Sequence, residues 1–372
     1  MLIFSVGIII YLPNGLKKLI AESEEQMIRR AKSTPLIVGA KGSSTDLVIN
    51  SLYFQQEKTE SITMATLNEV NDTGFGYGIP LVNMFSARNF PIVGTDPDYF
   101  SFRKLTLASG KWMSFVGECI IGSEVADNLD IGVGDSLISS PENLFDLAGV
   151  YPLKMSIVGV LEKSDTPDDG AVFVDIKTSW VIMGLGHGHE DLTQVNDPTI
   201  VLQRDSTEVK AGAKLYLYNT INGENMDSFH FHGDMDTYPL SALIFVPNDH
   251  KSETLFRGRF EAGEFEEQVI VPEDVVNILL QSIFRIKYIF NTVFVLVGVA
   301  TLLILGLIIT LSIRLRKSEI YTMFTIGSSR GKIAEIIGFE LIIITGTSIL
   351  LAGFLYSFTG FFVDDFIRYF II

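Results

Sequence analysis

Four of the chain's five histidines fall in two pairs with one residue between partners, His187-Gly-His189 and His230-Phe-His232. On a strand, residues two apart share a face, so His230 and His232 can close on one ion. His187 and His189 would complete the imidazole-rich shell that Zn2+ accepts. The glycines beside the first pair fit exposed loops without metal equally well. Zinc at these four residues is the one cofactor the sequence raises.

Two segments imitate phosphate-binding loops. Gly39-Ala-Lys41-Gly42-Ser43 sets its lysine before the glycine, whereas the loop needs Gly-Lys-Ser/Thr opening a helix. Gly327-Ser-Ser-Arg-Gly331-Lys332-Ile333 has three residues between its glycines instead of four, and isoleucine where a Mg2+-binding hydroxyl belongs. A Gly-x-Ser-x-Gly nucleophile elbow is absent. Cys119 is the only cysteine, which excludes an intramolecular disulfide and leaves a thiol with no evident activating partner. The Asp-rich segments 96–98 and 165–170 fit turns, since EF-hand spacing is missing. The chain is therefore expected to be non-catalytic and not to hydrolyse ATP by itself.

The elements around these motifs divide by composition. Residues 13–282 hold 20 Lys and Arg against 39 Asp and Glu, which argues against nucleic acid as a partner. Short apolar or β-branched runs bounded by Gly, Pro or Asp predict strands at 90–94, 118–122, 155–161, 171–175, 242–247 and 268–272. Ser123 is expected to cap a helix over 124–130, and Thr178 or Ser179 to open another. A subdomain boundary is placed near 195–235. Leu16, Leu19, Ile20, Met27 and Ile28 recur at near-helical spacing and predict a stalk helix after a turn at Pro13-Asn14-Gly15.

Two long apolar stretches follow, 283–313 and 336–363. Each exceeds the ~20 helical residues that cross a bilayer core. The first is expected to belong to a helix running unbroken from Glu273 as a second stalk, because Pro272 suits a helix start and no breaker follows before Gly298. Between the stretches lie Arg314, Arg316, Lys317, Arg330 and Lys332, and positive charge in a short loop marks the cytoplasmic side. The expected order is a partial transmembrane helix over 1–12, an extracytoplasmic domain with stalks over 13–282, a transmembrane helix over 283–313, a cytoplasmic segment over 314–335, a transmembrane helix over 336–363 and an outer tail over 364–372. The apolar run at 1–12 is too short to span unaided; it reads as the outer half of a first helix or as a short helix buried against the other two. Gly346, Gly353 and Gly360 recur every seven residues and predict a packing seam, in this chain or with a partner.

The segment LSIRLRKSEIYTMFTIGSSRGKIAEIIGFE resembles the connection between the second and third membrane helices of FtsX/MacB-like ABC-transporter permeases. The matching positions are Arg316, Lys317, Ser318, Glu319 and Ile320, then Thr325, Ile326, Gly327, Ser328, Ser329 and Arg330, then Glu340. Blocks at 35–43, 90–100, 118–137 and 155–180 are similar to that family's large domain. The resemblance departs in its incomplete first helix and in lacking the family's fourth helix.

It implies a membrane α-helical anchor plus an α+β extracytoplasmic domain joined by helical stalks, in the bacterial cytoplasmic (inner) membrane and multi-pass. Implied partners are an ABC-type ATPase subunit, a second copy in a homodimer, and the lipid bilayer. The implied role is mechanotransmission: ATPase motion passes to the outer domain for export or extraction of a lipoprotein, lipid, peptide or small compound. An alternative is a signalling scaffold that activates an extracytoplasmic partner such as a wall hydrolase; another is a metal-handling component. Residues expected to couple to the ATPase are Arg316, Lys317, Glu319, Ile320, Met323, Phe324, Ile326, Gly327, Ser328 and Arg330. Gly327 would end a short helix and Ser328 would cap the next.

Overall fold

The computed structural model describes residues 2–56, 59–140, 152–188, 201–204, 209–211, 219–221, 225, 229–231 and 233–370. The chain forms two compact units, one of residues 29–276 and one of residues 1–28 with 277–372. Both divisions fall inside helices. The subdomain boundary expected near 195–235 lies largely outside the described residues, so the observed divisions are at 28/29 and 276/277.

The larger unit is mixed α/β. The strands of its largest sheet are β1 (Leu36–Gly39), β2 (Gly76–Ala87), β3 (Phe90–Thr95), β4 (Leu107–Gly110), β5 (Glu118–Ile121), β6 (Ser136–Ile138), β7 (Leu153–Leu161), β8 (Val172–Asp175), β9 (Asn219–Thr220), β10 (Ala242–Pro247) and β11 (Gln268–Ile270). They form one sheet in the order β9-β7-β5-β8-β3-β2-β10-β1-β11, with β4 and β6 also paired to β7. The β3–β8, β5–β7 and β7–β9 pairs are parallel and the others antiparallel. The six strands expected from the sequence all appear here, 242–247 with the expected ends and the other five with an end shifted by one or two residues.

Helices among the described residues are α1 (Leu2–Lys32), α2 (Ser44–Tyr53), α3 (Met64–Asp72), α4 (Pro97–Arg103), α5 (Ser123–Leu129), α6 (Ile176–Ile182), α7 (His250–Glu261), α8 (Pro272–Leu315), α9 (Lys317–Thr325) and α10 (Arg330–Phe370). Both sheet faces are covered, and the period of two sorts residues between them. Ile92, Cys119, Ile121, Val172 and Val174 enter one core cluster, while their neighbours Val93, Ile120 and Phe173 enter another with Phe54, Tyr99 and Phe100. A third cluster gathers Leu36, Trp180, Phe245 and Phe256. Burial pushes the Cys119 thiol up, with the Glu118 charge adding to it, so this cysteine is a core residue.

Two capping expectations are corrected. Helix α5 starts at Ser123 itself, after Gly122, and helix α6 is capped by Asp175, whose side chain accepts from the Lys177 N–H. Thr178 and Ser179 lie buried inside α6. Of the two Asp-rich segments, 165–170 is a turn as expected, its Pro167–Gly170 3-10 turn capped by Thr166, whereas 96–98 opens helix α4, with Asp96 as the cap and Pro97 in the first turn. Ser43, in the first loop imitating a phosphate site, caps α2 by accepting from the Asp46 N–H.

In the smaller unit, α1 continues as helix through Pro13 where a turn was expected. Proline removes one N–H from the helical ladder, and the Asn14 side chain donates to the Ile10 carbonyl at 2.8 Å beside that gap. Helix α8 runs unbroken from Pro272 to Leu315, as its start signal and lack of breakers require. Thr292–Leu315 and Ile342–Thr359 are long and apolar enough to cross a membrane. Helix α1 packs on α10 inside this unit: Ser348 Oγ donates to the Ile3 carbonyl at 3.1 Å, Tyr11 and Thr359 share a hydroxyl bond at 2.5 Å, and Lys18 sits 5.1 Å over the Tyr356 ring. A Cβ on Gly7 would stand 2.9 Å from Leu351, which shows how near the helices come.

This seam differs from the glycine stripe. Ser348 and Ala352 are buried in it, whereas a methyl built on Gly346 or Gly353 meets no atom within 4 Å. Two residues along a helix turn the side chain by ~200°, so Gly346 faces away from Ser348. The surroundings of Gly360 lie outside the described residues.

Candidate functional site

Residues between α8 and α10 build an exposed, basic and partly apolar knob. Helix α9 begins after Arg316, whose carbonyl accepts from Ile320 N–H, and carries Glu319 in its first turn, favourable to the helix dipole. Its end is a Schellman turn. Gly327 takes a φ of +96°, its N–H donates to the Phe324 carbonyl, and Ser328 N–H donates to the Met323 carbonyl. The left-handed conformation explains the glycine. Ser328 thus closes α9, and the cap of α10 is Ser329, whose Oγ accepts from Lys332 N–H. Sequence reasoning placed that cap one residue early.

Tyr321, Met323, Phe324 and Ile326 are exposed, Ile326 to 78%, and Ile320 is half-buried. An open groove of about 890 Å³ is lined by Arg314, Lys317, Ile320, Tyr321, Phe324 and Arg330 among others. The Arg330 guanidinium lies 5.9 Å from the centre of the Phe324 ring. The expected coupling residues Arg316, Lys317, Glu319, Ile320, Met323, Phe324, Ile326, Gly327, Ser328 and Arg330 therefore occupy one short helix and its two flanks. The arrangement can bury apolar side chains in a partner while arginine and lysine meet acidic groups.

The histidines are only partly assembled. Gly186–Gly188 and Phe229–Phe231 form a two-stranded antiparallel ladder with His187 opposite His230. His189 and His232 lie outside the described residues. Among the described residues, no group of three His, Cys, Asp or Glu is placed to hold a metal.

A second polar cluster, in the larger unit, was missed from the sequence. Arg30, 6% exposed, donates to both oxygens of Asp168, 1% exposed. It also donates to the Tyr99 hydroxyl at 2.8 Å and to the Leu52 carbonyl at 3.2 Å. Tyr99 in turn donates to Asp168 at 2.6 Å. Burial alone would lower the Arg30 pKa and raise that of Asp168; their mutual charge and hydrogen bonds outweigh it, so Arg30 is raised and Asp168 is held below the usual carboxylate range. Half-buried Arg103 donates to Ser33 and Thr34, whose hydroxyls donate to the Arg30 carbonyl. Burial, then repulsion from Arg30, brings the Arg103 pKa down to about 10. Gly122 lets the end of β5 approach, because a Cβ there would lie 2.2 Å from the Asp169 carbonyl oxygen and 2.4 Å from that of Asp168.

The chain thus combines a mixed α/β unit, two helices long and apolar enough to cross a membrane, and a basic knob between those two helices. The family model for the MacB-like periplasmic core domain matches residues 3–214, and the chain belongs to this family of MacB/FtsX-like ABC permeases. Membership places it at a membrane, in the permease component of an ABC-type transporter, and implies an ATPase partner. No curated protein matches the chain. The periplasmic region of MacB from Actinobacillus actinomycetemcomitans is similar over 68% of this chain and 97% of its own, at 7% identity and a TM-score of 0.38. The extracellular domain of the noncanonic ABC-type transporter YknZ from Gram-positive bacteria is similar over 64% of this chain and 99% of its own, at 11% identity and a TM-score of 0.36.

Proposed function

We propose that this chain transmits ATPase-driven motion to a domain outside the cytoplasm and performs no chemistry of its own. The observation that carries the reading is α9, a nine-residue helix with exposed Tyr321, Met323, Phe324 and Ile326, set among arginine and lysine between two candidate membrane spans. Apolar side chains left in water beside a charged rim are the usual form of a helix-in-groove contact. The ATPase would receive α9, while α8 and α1 would act as stalks. A second copy would pack on the Gly346, Gly353 and Gly360 stripe, where a Cβ at Gly346 or Gly353 meets no atom of the described residues within 4 Å. Cargo would be a lipoprotein, lipid, peptide or small compound delivered to or released from the outer domain.

Replacing Met323 or Ile326 by Asp puts a charge into the contact. An unpaired buried charge costs several kcal/mol, and ~4 kcal/mol weakens binding about a thousandfold. Both variants are expected to insert and fold but to lose the cognate ABC ATPase in a detergent pull-down. Lys332→Ala is expected to keep it, since Lys332 pairs with Glu335 at 2.8 Å on α10. Full ATPase recovery by both Asp variants would reduce α9 to a connector.

A further inference from the structure

The last turn of α1, which belongs to the larger unit, is held to its neighbours there by two arginines working in opposite directions. Arg30 projects from α1 onto the Asp168 turn, Tyr99 of α4 and the Leu52 carbonyl of α2. Arg103 projects from α4 back onto Ser33 and Thr34, the residues just beyond the end of α1. Positive charge at a helix C-terminus is favourable to the dipole, so Arg103 also suits the place it grips.

Stability alone is a poor account of this cluster. A buried ion pair often contributes no more than apolar residues of the same volume, because desolvation offsets the attraction. What a planar guanidinium with a bidentate carboxylate does provide is a fixed angle. Arg30 uses Nε and both terminal nitrogens on acceptors from three separate elements, so α1 cannot roll about its axis without breaking several bonds at once. Among the described residues, the root of α8 shows no such device. Val275 and Val276 are buried there, and its charged contact is the exposed Glu273 to Lys32 pair at 3.6 Å. Apolar packing carries no comparable angular constraint.

We propose that the clasp of Arg30 with Asp168 and Tyr99, closed from the other side by Arg103, is the joint through which α1 turns the outer domain. This inference rests on the transmission reading above and names the place where motion enters the domain. Arg30 and Asp168 are positioning residues: they fix the last turn of α1 within the larger unit.

The test uses the full chain with its ATPase in lipid nanodiscs that contain acceptor-labelled lipid. A donor dye is attached singly at Ala21→Cys on α1 or Asp127→Cys on α5, both exposed positions. Native Cys119 is buried and does not compete. Energy transfer to the lipid is read with and without ATP. The wild-type chain is expected to respond at both dyes. In Arg30→Met with Asp168→Asn, which removes both charges together, the Ala21 response is expected to persist while the Asp127 response falls at least twofold. Tyr99→Phe, which deletes one hydroxyl, is expected to give a smaller loss in the same direction. Equal melting temperatures would show that the split does not come from unfolding. If the double variant melts early, Tyr99→Phe decides alone. An undiminished Asp127 response in a folded variant overturns the joint but leaves the transmission reading intact. Absence of any ATP response from either dye in the wild-type chain overturns both.

Discussion

At Arg30 a guanidinium and a carboxylate lie out of water, with Asp168 1% exposed; at α9, Ile326 lies 78% in water beside Tyr321 and Phe324. Each place reverses what solvation favours. A buried charge must be paired to be tolerated, and Arg30 has four acceptor contacts. An exposed apolar cluster has no such internal remedy, so its natural completion is another molecule. The comparison separates the two proposed uses of misplaced polarity: a polar group buried inside to fix an angle, and an apolar group left outside to await a partner.

The largest effect should come from breaking the buried pair on one side. Asp168→Ala leaves the Arg30 charge unpaired and is expected to destabilise the larger unit by about 3–5 kcal/mol. Denaturant unfolding followed by tryptophan fluorescence measures it, since Trp180 is buried and Trp112 exposed in that unit. Neutralising both partners should recover most of the loss. If the single and double variants unfold together, the charges are not coupled and the contrast with α9 collapses.

At α9 the same kind of change should do almost nothing to stability. Ile326→Asp adds a charge at a site already in water, and surface substitutions of this sort stay within about 0.5 kcal/mol. A loss of ATPase binding with an unchanged unfolding midpoint is therefore the expected signature. A lowered midpoint would mean that α9 is packed in the resting protein, against the exposure described.

The smallest effect sharpens what pairing accomplishes. Asp96 is a partly buried carboxylate with acidic neighbours in place of an arginine, and burial, then the charge of Asp98, raises its pKa to about 6. Between the ordinary value of ~3.9 and about 6, the folded state binds more protons than the unfolded one. Stability therefore falls as pH rises through that window. Asp168 carries the opposite sign: its contribution is present above ~3.9 and is lost as pH drops through its lowered value. Asp96→Asn is expected to match wild type at pH 4 and to melt slightly higher at pH 7.5. A constant difference across that range would remove Asp96 as the titrating group.

Local chemistry made much of this chain legible. Runs such as 90–94 and 242–247 are strands because their continuous apolar side chains fit a sheet buried on both faces. Pro272 with Glu273 and Asp274 starts α8, and Gly327 ends α9, because proline at a first turn and glycine at a left-handed position are conformational requirements of the residues themselves. The apolar lengths of α8 and α10 follow from composition alone. Choices among near-equivalent neighbours were decided elsewhere. Asp175 outcompeted Thr178 and Ser179 as a cap because the end of β8 sets where α6 begins, and Ser329 replaced Ser328 because the Schellman turn used Ser328 first. Helix α1 passes through Pro13 while packed on α10 at Ser348 and Thr359, a contact 345 residues away in sequence at its Ile3 end. The Arg30 joint lay furthest from view. One arginine among the charges of a stalk helix has no local mark, and its partner stands 138 residues on, in a segment whose composition says only that it turns. Only the folded sheet, by setting the order of its strands and the close approach at Gly122, brings that carboxylate under the end of α1 and removes the water that would otherwise make the pair weak.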